Sequence, residues 1–104
     1  MSVINLSKEN FEQEVMESRV PVLVDFWATW CGPCKMMGPV VEQIAEDMGT
    51  SAKICKINID EQQELAAKYQ VMSIPTFIAF KDGKEVKRMV GAMPKNELAK
   101  ILEM

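Results

Sequence analysis

Histidine is missing from the chain altogether. That excludes Ser-His-Asp and Cys-His nucleophile systems and every histidine-ligated metal, since each needs an imidazole as base or ligand. Cysteine is scarce, with only Cys31, Cys34 and Cys55 in 104 residues. Three thiols, behind a start (Met1–Ser7) that lacks the basic-then-apolar pattern of a signal peptide, do not make the disulfide framework of a secreted mini-protein. The expected setting is reducing and cytoplasmic, where a close cysteine pair is reactive or metal-binding more often than structural. No apolar run approaches the ~20 residues that a membrane-spanning helix needs. No basic block is present and the net charge is −3, so nucleic-acid binding through phosphate neutralisation has no basis. Repeats, low-complexity stretches and linkers are also absent, and the length suits one domain over residues 1–104.

What is present reads as alternating strands and helices. Val3-Ile4-Asn5 suits a short edge strand. Ser7 is a fair helix N-cap, and Phe11 and Val15 at i,i+4 spacing predict a helix over Lys8 to Glu17. Pro21 opens the almost continuously apolar run Val22–Ala28, the pattern of a central strand covered on both faces. Met37, Val40, Val41, Ile44, Ala45 and Met48 share one face of a helix from Cys34 to Met48, closed by Gly49 and interrupted by Pro39. A proline there removes an N–H, leaves the Lys35 carbonyl without its usual donor and predicts a kink. Lys53 to Ile59 alternates as a strand, with Cys55, Ile57 and Ile59 on one side. Asp60-Glu61-Gln62-Gln63 resembles a capping box opening a helix to about Tyr69. Thr76–Phe80 and Glu85–Val90 flank Asp82-Gly83, a two-residue hairpin signal, and Pro94 suits the first turn of a terminal helix with Leu98, Ile101 and Leu102. The order predicts an α/β sandwich of three layers, a central mixed sheet with helices on both faces.

Trp30-Cys31-Gly32-Pro33-Cys34-Lys35 stands where the buried strand gives way to a helix, and reactive groups in open α/β sheets gather beyond the carboxyl ends of strands. The i,i+3 spacing puts both sulfurs on one side of the first turn, close enough to bond. Cys31 meets the helix N-terminus, where free N–H groups and the dipole favour a thiolate. Cys34, one turn inside, is expected to be the less exposed of the two. Zinc would need two more ligands, which the third cysteine and the absent histidines do not supply. A static disulfide fits the compartment poorly. Reversible dithiol–disulfide exchange is the better reading.

The block Phe26-Trp27-Ala28-Thr29-Trp30-Cys31-Gly32-Pro33-Cys34-Lys35-Met36, followed in order by Ser73-Ile74-Pro75-Thr76, Phe80-Lys81-Asp82-Gly83 and Val90-Gly91-Ala92, resembles the thioredoxin family over essentially the whole chain. The resemblance implies the thioredoxin fold, with about five strands and about four helices. It implies general protein-disulfide reduction, with Cys31 attacking the substrate disulfide, Cys34 resolving the mixed disulfide and Asp25 taking the Cys34 proton. No bound cofactor is implied beyond the redox-active Cys31–Cys34 disulfide. The implied partners are disulfide-containing proteins and a thioredoxin reductase, whose flavin and NADPH belong to that partner, since no Gly-x-Gly-x-x-Gly occurs here. A monomer is expected, with no nucleic acid, membrane or metal involved.

Asp25 interrupts an apolar strand, so it is either buried with a raised pKa or exposed at an edge. The resemblance places Lys56 on the next strand beside that acid, although a lysine there can equally snorkel to solvent. It also implies a cis bond before Pro75, leaving the Ile74 backbone free to pair with an extended substrate segment. With Trp30, Gly32, Pro33, Gly91 and Ala92, these residues would form a flat apolar docking surface. Trp27 reads as scaffold beneath the site, and Pro39 shapes it indirectly. Cys55 reads as a buried small hydrophobe, the alternatives being regulatory oxidation or an intermolecular disulfide. Met72 and Met93 flank the docking loops and suit adaptable contacts. Two rival readings remain, a disulfide oxidant or isomerase, against which the Gly-Pro dipeptide speaks, and a redox-independent binding subunit.

Overall fold

The computed structural model describes residues 3–103. Its five strands are β1 (Ile4–Asn5), β2 (Val22–Trp27), β3 (Lys53–Asn58), β4 (Thr76–Lys81) and β5 (Lys84–Val90). They form one sheet in the order β1-β3-β2-β4-β5. β1 and β2 run parallel to β3, whereas β4 runs antiparallel to both β2 and β5, so the sheet is mixed as expected. β2 occupies the middle, and Val22 through Phe26 are almost wholly buried, which is why that run carries no outward polar alternation.

Helices cover both faces. α1 (Gly32–Met48) and α3 (Lys95–Ala99), the latter continued by a tighter turn at Lys100–Leu102, lie on one side. There Met37, Val41, Ile44, Leu98 and Ile101 pack on Leu23, Ile54, Phe77 and Ala79. α2 (Gln63–Lys68) and a wide helical segment at Glu12–Met16 cover the other side, packing Phe11, Val15 and Leu65 on Val24, Phe26, Cys55, Ile57, Ile78 and Phe80. α1 runs through Pro39 and ends at Gly49, whose φ of +55° is a left-handed value that favours glycine. Cys55 is fully buried, as its place on the alternating strand implied.

Two helix starts differ from the sequence expectation. The turn after Ser7 is held by the Ser7 carbonyl, which accepts from the Asn10 and Phe11 N–H groups, while the Ser7 N–H donates to Asn10 Oδ1 at 2.8 Å. The segment then widens, and the Glu17 N–H reaches the Glu12 carbonyl, an i→i+5 bond, where a regular α-helix was expected. Asp60 does not cap α2. Asn58 Oδ1 accepts from the Asp60 and Glu61 N–H groups, and α2 begins later, at Gln63. An Asn at a strand end closes such a turn on its own side chain, which leaves the Asp60 carboxylate for another partner.

The Asp82-Gly83 turn forms as expected, with φ of +52° and +77°. Gly83 also abuts the wide helical segment, because a Cβ there would lie 2.9 Å from the Met16 carbonyl oxygen. Gly83→Ala is therefore expected to cost about 1–3 kcal/mol, from strained backbone and a clash with main chain that cannot yield. A lower urea midpoint at unchanged m-value would report it.

Candidate active site

Cys31 closes the loop after β2 and serves as the N-cap of α1, with an extended backbone (φ −93°, ψ 110°). Its Sγ accepts the Cys34 N–H at 3.2 Å, where an Asp or Ser oxygen usually sits. Pro33, in the first turn, has no N–H to leave unpaired. The cysteines form a disulfide, with Cα atoms 5.2 Å apart. Their accessibility does not differ as anticipated: Cys31 is 5% exposed and Cys34 4%. Both cysteines sit in a small cluster with Ala28, against which Trp27, Ile59 and Ile74 pack. What separates the two is the amide, because only Cys31 Sγ receives a main-chain donor from the start of the helix.

Three loops converge on the pair. Pro75 follows a cis peptide bond, and the Ile74 carbonyl oxygen stands 3.9 Å from Cys31 Sγ. Pro75 itself is buried. The Gly91 N–H donates to the Pro75 carbonyl at 2.8 Å, which ties the loop after β5 to the Pro75 loop, and the Gly91 φ of +97° lies where glycine is favoured. Gly32, Pro33 and Ala92 are exposed around these loops. Trp30 is 66% exposed, yet its indole N–H donates to Asp60 Oδ2 at 2.8 Å, so the ring is held in orientation rather than by burial. Sequence reasoning gave Asp60 a capping role and missed this one. The contact spans thirty positions, which local pattern does not encode.

Asp25 is the buried acid, 1% exposed, with Oδ1 lacking any hydrogen-bond partner. It lies in β2 directly beside Lys56 of β3 and Phe77 of β4. Leu23 and Phe77 belong to the α1 side of the sheet, and strand alternation puts Asp25 and Trp27 on that same side. Burial pushes the Asp25 carboxyl up to about 7, and the nearby Lys56 charge only partly offsets it. Lys56 adjoins the acid, but its ammonium sits over the Trp27 ring, 4.5 Å from the centroid. None of the ion pairs among the described residues includes Asp25. Trp27 thus bridges two features, packing beside the cysteines and holding the lysine head. Pro39 lies further along α1, exposed and outside the cysteine cluster.

Burial pushes the Cys55 thiol up to about 12, reinforced by Glu14 and opposed by Lys53. At that value the thiol stays protonated and unreactive at neutral pH. Among the described residues no group of three or more His, Cys, Asp or Glu is placed to hold a metal ion, and no helix is long and apolar enough to cross a membrane.

The chemistry of such a pair is dithiol–disulfide exchange, and comparison with known proteins agrees. The thioredoxin family model matches residues 2–104. A thioredoxin of Staphylococcus aureus is 52% identical over 103 residues, spanning 99% of this chain and 97% of that one. A thioredoxin of Pyropia yezoensis is 50% identical over 102 residues, spanning 98% and 95%. A protein named thioredoxin 1 from Synechococcus elongatus is 53% identical over 93 residues, spanning 89% and 87%. The sheet order and flanking helices are those of the thioredoxin fold. The redox group is the cysteine pair itself, and the family needs no bound cofactor. A match that runs nearly end to end, with about half of all positions identical, means that the chain belongs to the thioredoxin family and is a thiol–disulfide oxidoreductase that reduces protein disulfides.

Proposed function

We propose that the chain acts as a general cytoplasmic reductase, a monomer of one domain over residues 1–104, with the site residues in the following roles. Cys31 attacks a sulfur of the substrate disulfide. One S–S bond breaks, a mixed disulfide forms, and the substrate's other sulfur leaves as a thiolate that takes up a proton. Cys34 then loses its proton to Asp25 and attacks Cys31 Sγ, releasing the second substrate thiol and leaving the Cys31–Cys34 disulfide. Lys56, held over Trp27, moderates the charge on Asp25. Trp30, Gly32, Pro33, Ile74, Gly91 and Ala92 form the docking surface around the buried Pro75, whose loop presents the Ile74 backbone to an extended substrate segment. Pro39 acts at a distance, through the course of α1. A thioredoxin reductase returns the disulfide to the dithiol with electrons from NADPH through its own flavin.

The observation that carries this reading is the main-chain N–H aimed at Cys31 Sγ, 3.2 Å away, at the N-terminus of a long helix. It stabilises negative charge on the attacking sulfur and on no other thiol of the chain. The test is the reduction potential of the pair by equilibration with glutathione. Because Cys55 is buried with its thiol pushed up to about 12, the unaltered chain serves. A potential well below the glutathione poise is expected, each ~30 mV corresponding to ~1.4 kcal/mol for the two-electron couple. A markedly more oxidising value would make the chain an oxidant or isomerase. Absence of a reversible couple would leave only a binding subunit.

A further inference from the structure

Met37 makes a contact that packing alone does not require. It is 2% exposed on the face of α1 that carries Cys34, one turn further on. Its Sδ accepts the backbone N–H of Met93 at 3.4 Å, across 56 positions of sequence. Met93 belongs to the loop between β5 and α3, whose other end is held by the Gly91 N–H on the Pro75 carbonyl at 2.8 Å. Exposed Ala92 lies between these two anchors. The loop is thus tied at one end to the Pro75 segment and at the other to the helix that bears both cysteines. A thioether is a weak acceptor, but an aliphatic side chain of the same size offers none. Without it the Met93 N–H, half-buried against the α1 side of the core, loses its partner and the loop gains freedom beside the dithiol.

We propose that Met37 is a positioning residue for protein substrates: through its sulfur it holds the 91–93 loop in register with the dithiol, so that an extended substrate chain meets a preformed edge. This rests on the reading of Gly91 and Ala92 as docking surface. Preformed geometry lowers the ordering cost of docking and leaves the sulfur exchange itself untouched. The effect therefore falls on KM for substrates large enough to reach the loop. A small aromatic disulfide, which needs only the sulfur, does not sense it.

The experiment compares Met37→Leu, which keeps volume and removes the acceptor, with Met37→Gln, which restores an acceptor at similar reach. Steady-state kinetics are followed on a disulfide-bonded protein and on a small aromatic disulfide. Expected for Met37→Leu is a three- to tenfold rise in KM for the protein, an unchanged kcat, and unchanged kinetics on the small disulfide, with KM recovering in Met37→Gln. In the unaltered protein, the Met93 amide is expected to exchange with solvent more slowly than that of Ala92. Equal exchange of the two amides would overturn the proposal, as would a Met37→Leu protein with wild-type KM or one equally impaired on both substrates. If Ala92→Lys leaves KM for the protein substrate unchanged, the docking reading fails instead, whatever Met37 does.

Discussion

Cys34→Ser is expected to lower turnover on a disulfide-bonded protein by ~10³-fold or more while accumulating a covalent adduct joined through Cys31. The first attack needs only Cys31, whose Sγ keeps the Cys34 main-chain N–H whatever side chain residue 34 carries. The second attack needs a thiol at residue 34, and a hydroxyl there does not displace a thiolate. Cys31→Ser is expected to lose turnover to the same extent and to form no adduct, since Cys55, fully buried, offers no replacement nucleophile. Non-reducing electrophoresis and intact mass, with and without added dithiol, separate the two outcomes. An adduct through residue 34 in the Cys31→Ser protein would reverse the assignment of attacking and resolving sulfur.

Asp25→Ala is expected to make the protein more stable at alkaline pH and slower as a reductase. The acid's pKa is raised from 3.8 to about 7, chiefly because burial disfavours its charged form. Between those values the folded state binds more protons than the unfolded chain, so stability falls as pH rises through that window and levels off above about 7. The full difference corresponds to about 4 kcal/mol, by the ~1.4 kcal/mol that accompanies each pKa unit. Below pH 4 the carboxyl is neutral in both states and the pH-dependent penalty is gone. Denaturant unfolding of the two proteins at several pH values is expected to show a gap favouring Asp25→Ala that opens upward from about pH 4 and stops growing above about pH 7. A gap independent of pH would mean that the acid titrates in the fold as it does in the unfolded chain, so that burial does not raise its pKa. Release of the mixed disulfide is expected to slow about a hundredfold, the low end for losing a positioned proton acceptor.

Much of this molecule is legible from local pattern. The apolar run at Val22–Ala28, the alternation around Cys55 and the Asp-Gly turn each answer to short-range rules, and all three took the places expected. The cysteine pair was equally plain, since its spacing, its helix start and the missing histidines left little else for it to do. What escaped was set by distant partners. Asp60 looks like a cap until Asn58 takes that role and Trp30 claims the carboxylate. The widening at Glu12–Met16 carries no composition signal, and the hairpin turn at Gly83 that lies against Met16 is nearly seventy positions away. Near-equal burial of the two cysteines is reached in a cluster that draws on Ile59 and Ile74, both distant in sequence. Met37 read as one more core methionine, and nothing near it in sequence announces the Met93 amide.

One atom both reacts and begins a helix. Because Cys31 Sγ is the acceptor that completes the start of α1, each change in its electron count also changes how firmly that helix is anchored. A thiolate draws the Cys34 N–H more strongly than a disulfide sulfur does. Protection of that single amide is therefore expected to tighten on reduction and relax on oxidation, a difference that amide exchange of the two forms would report.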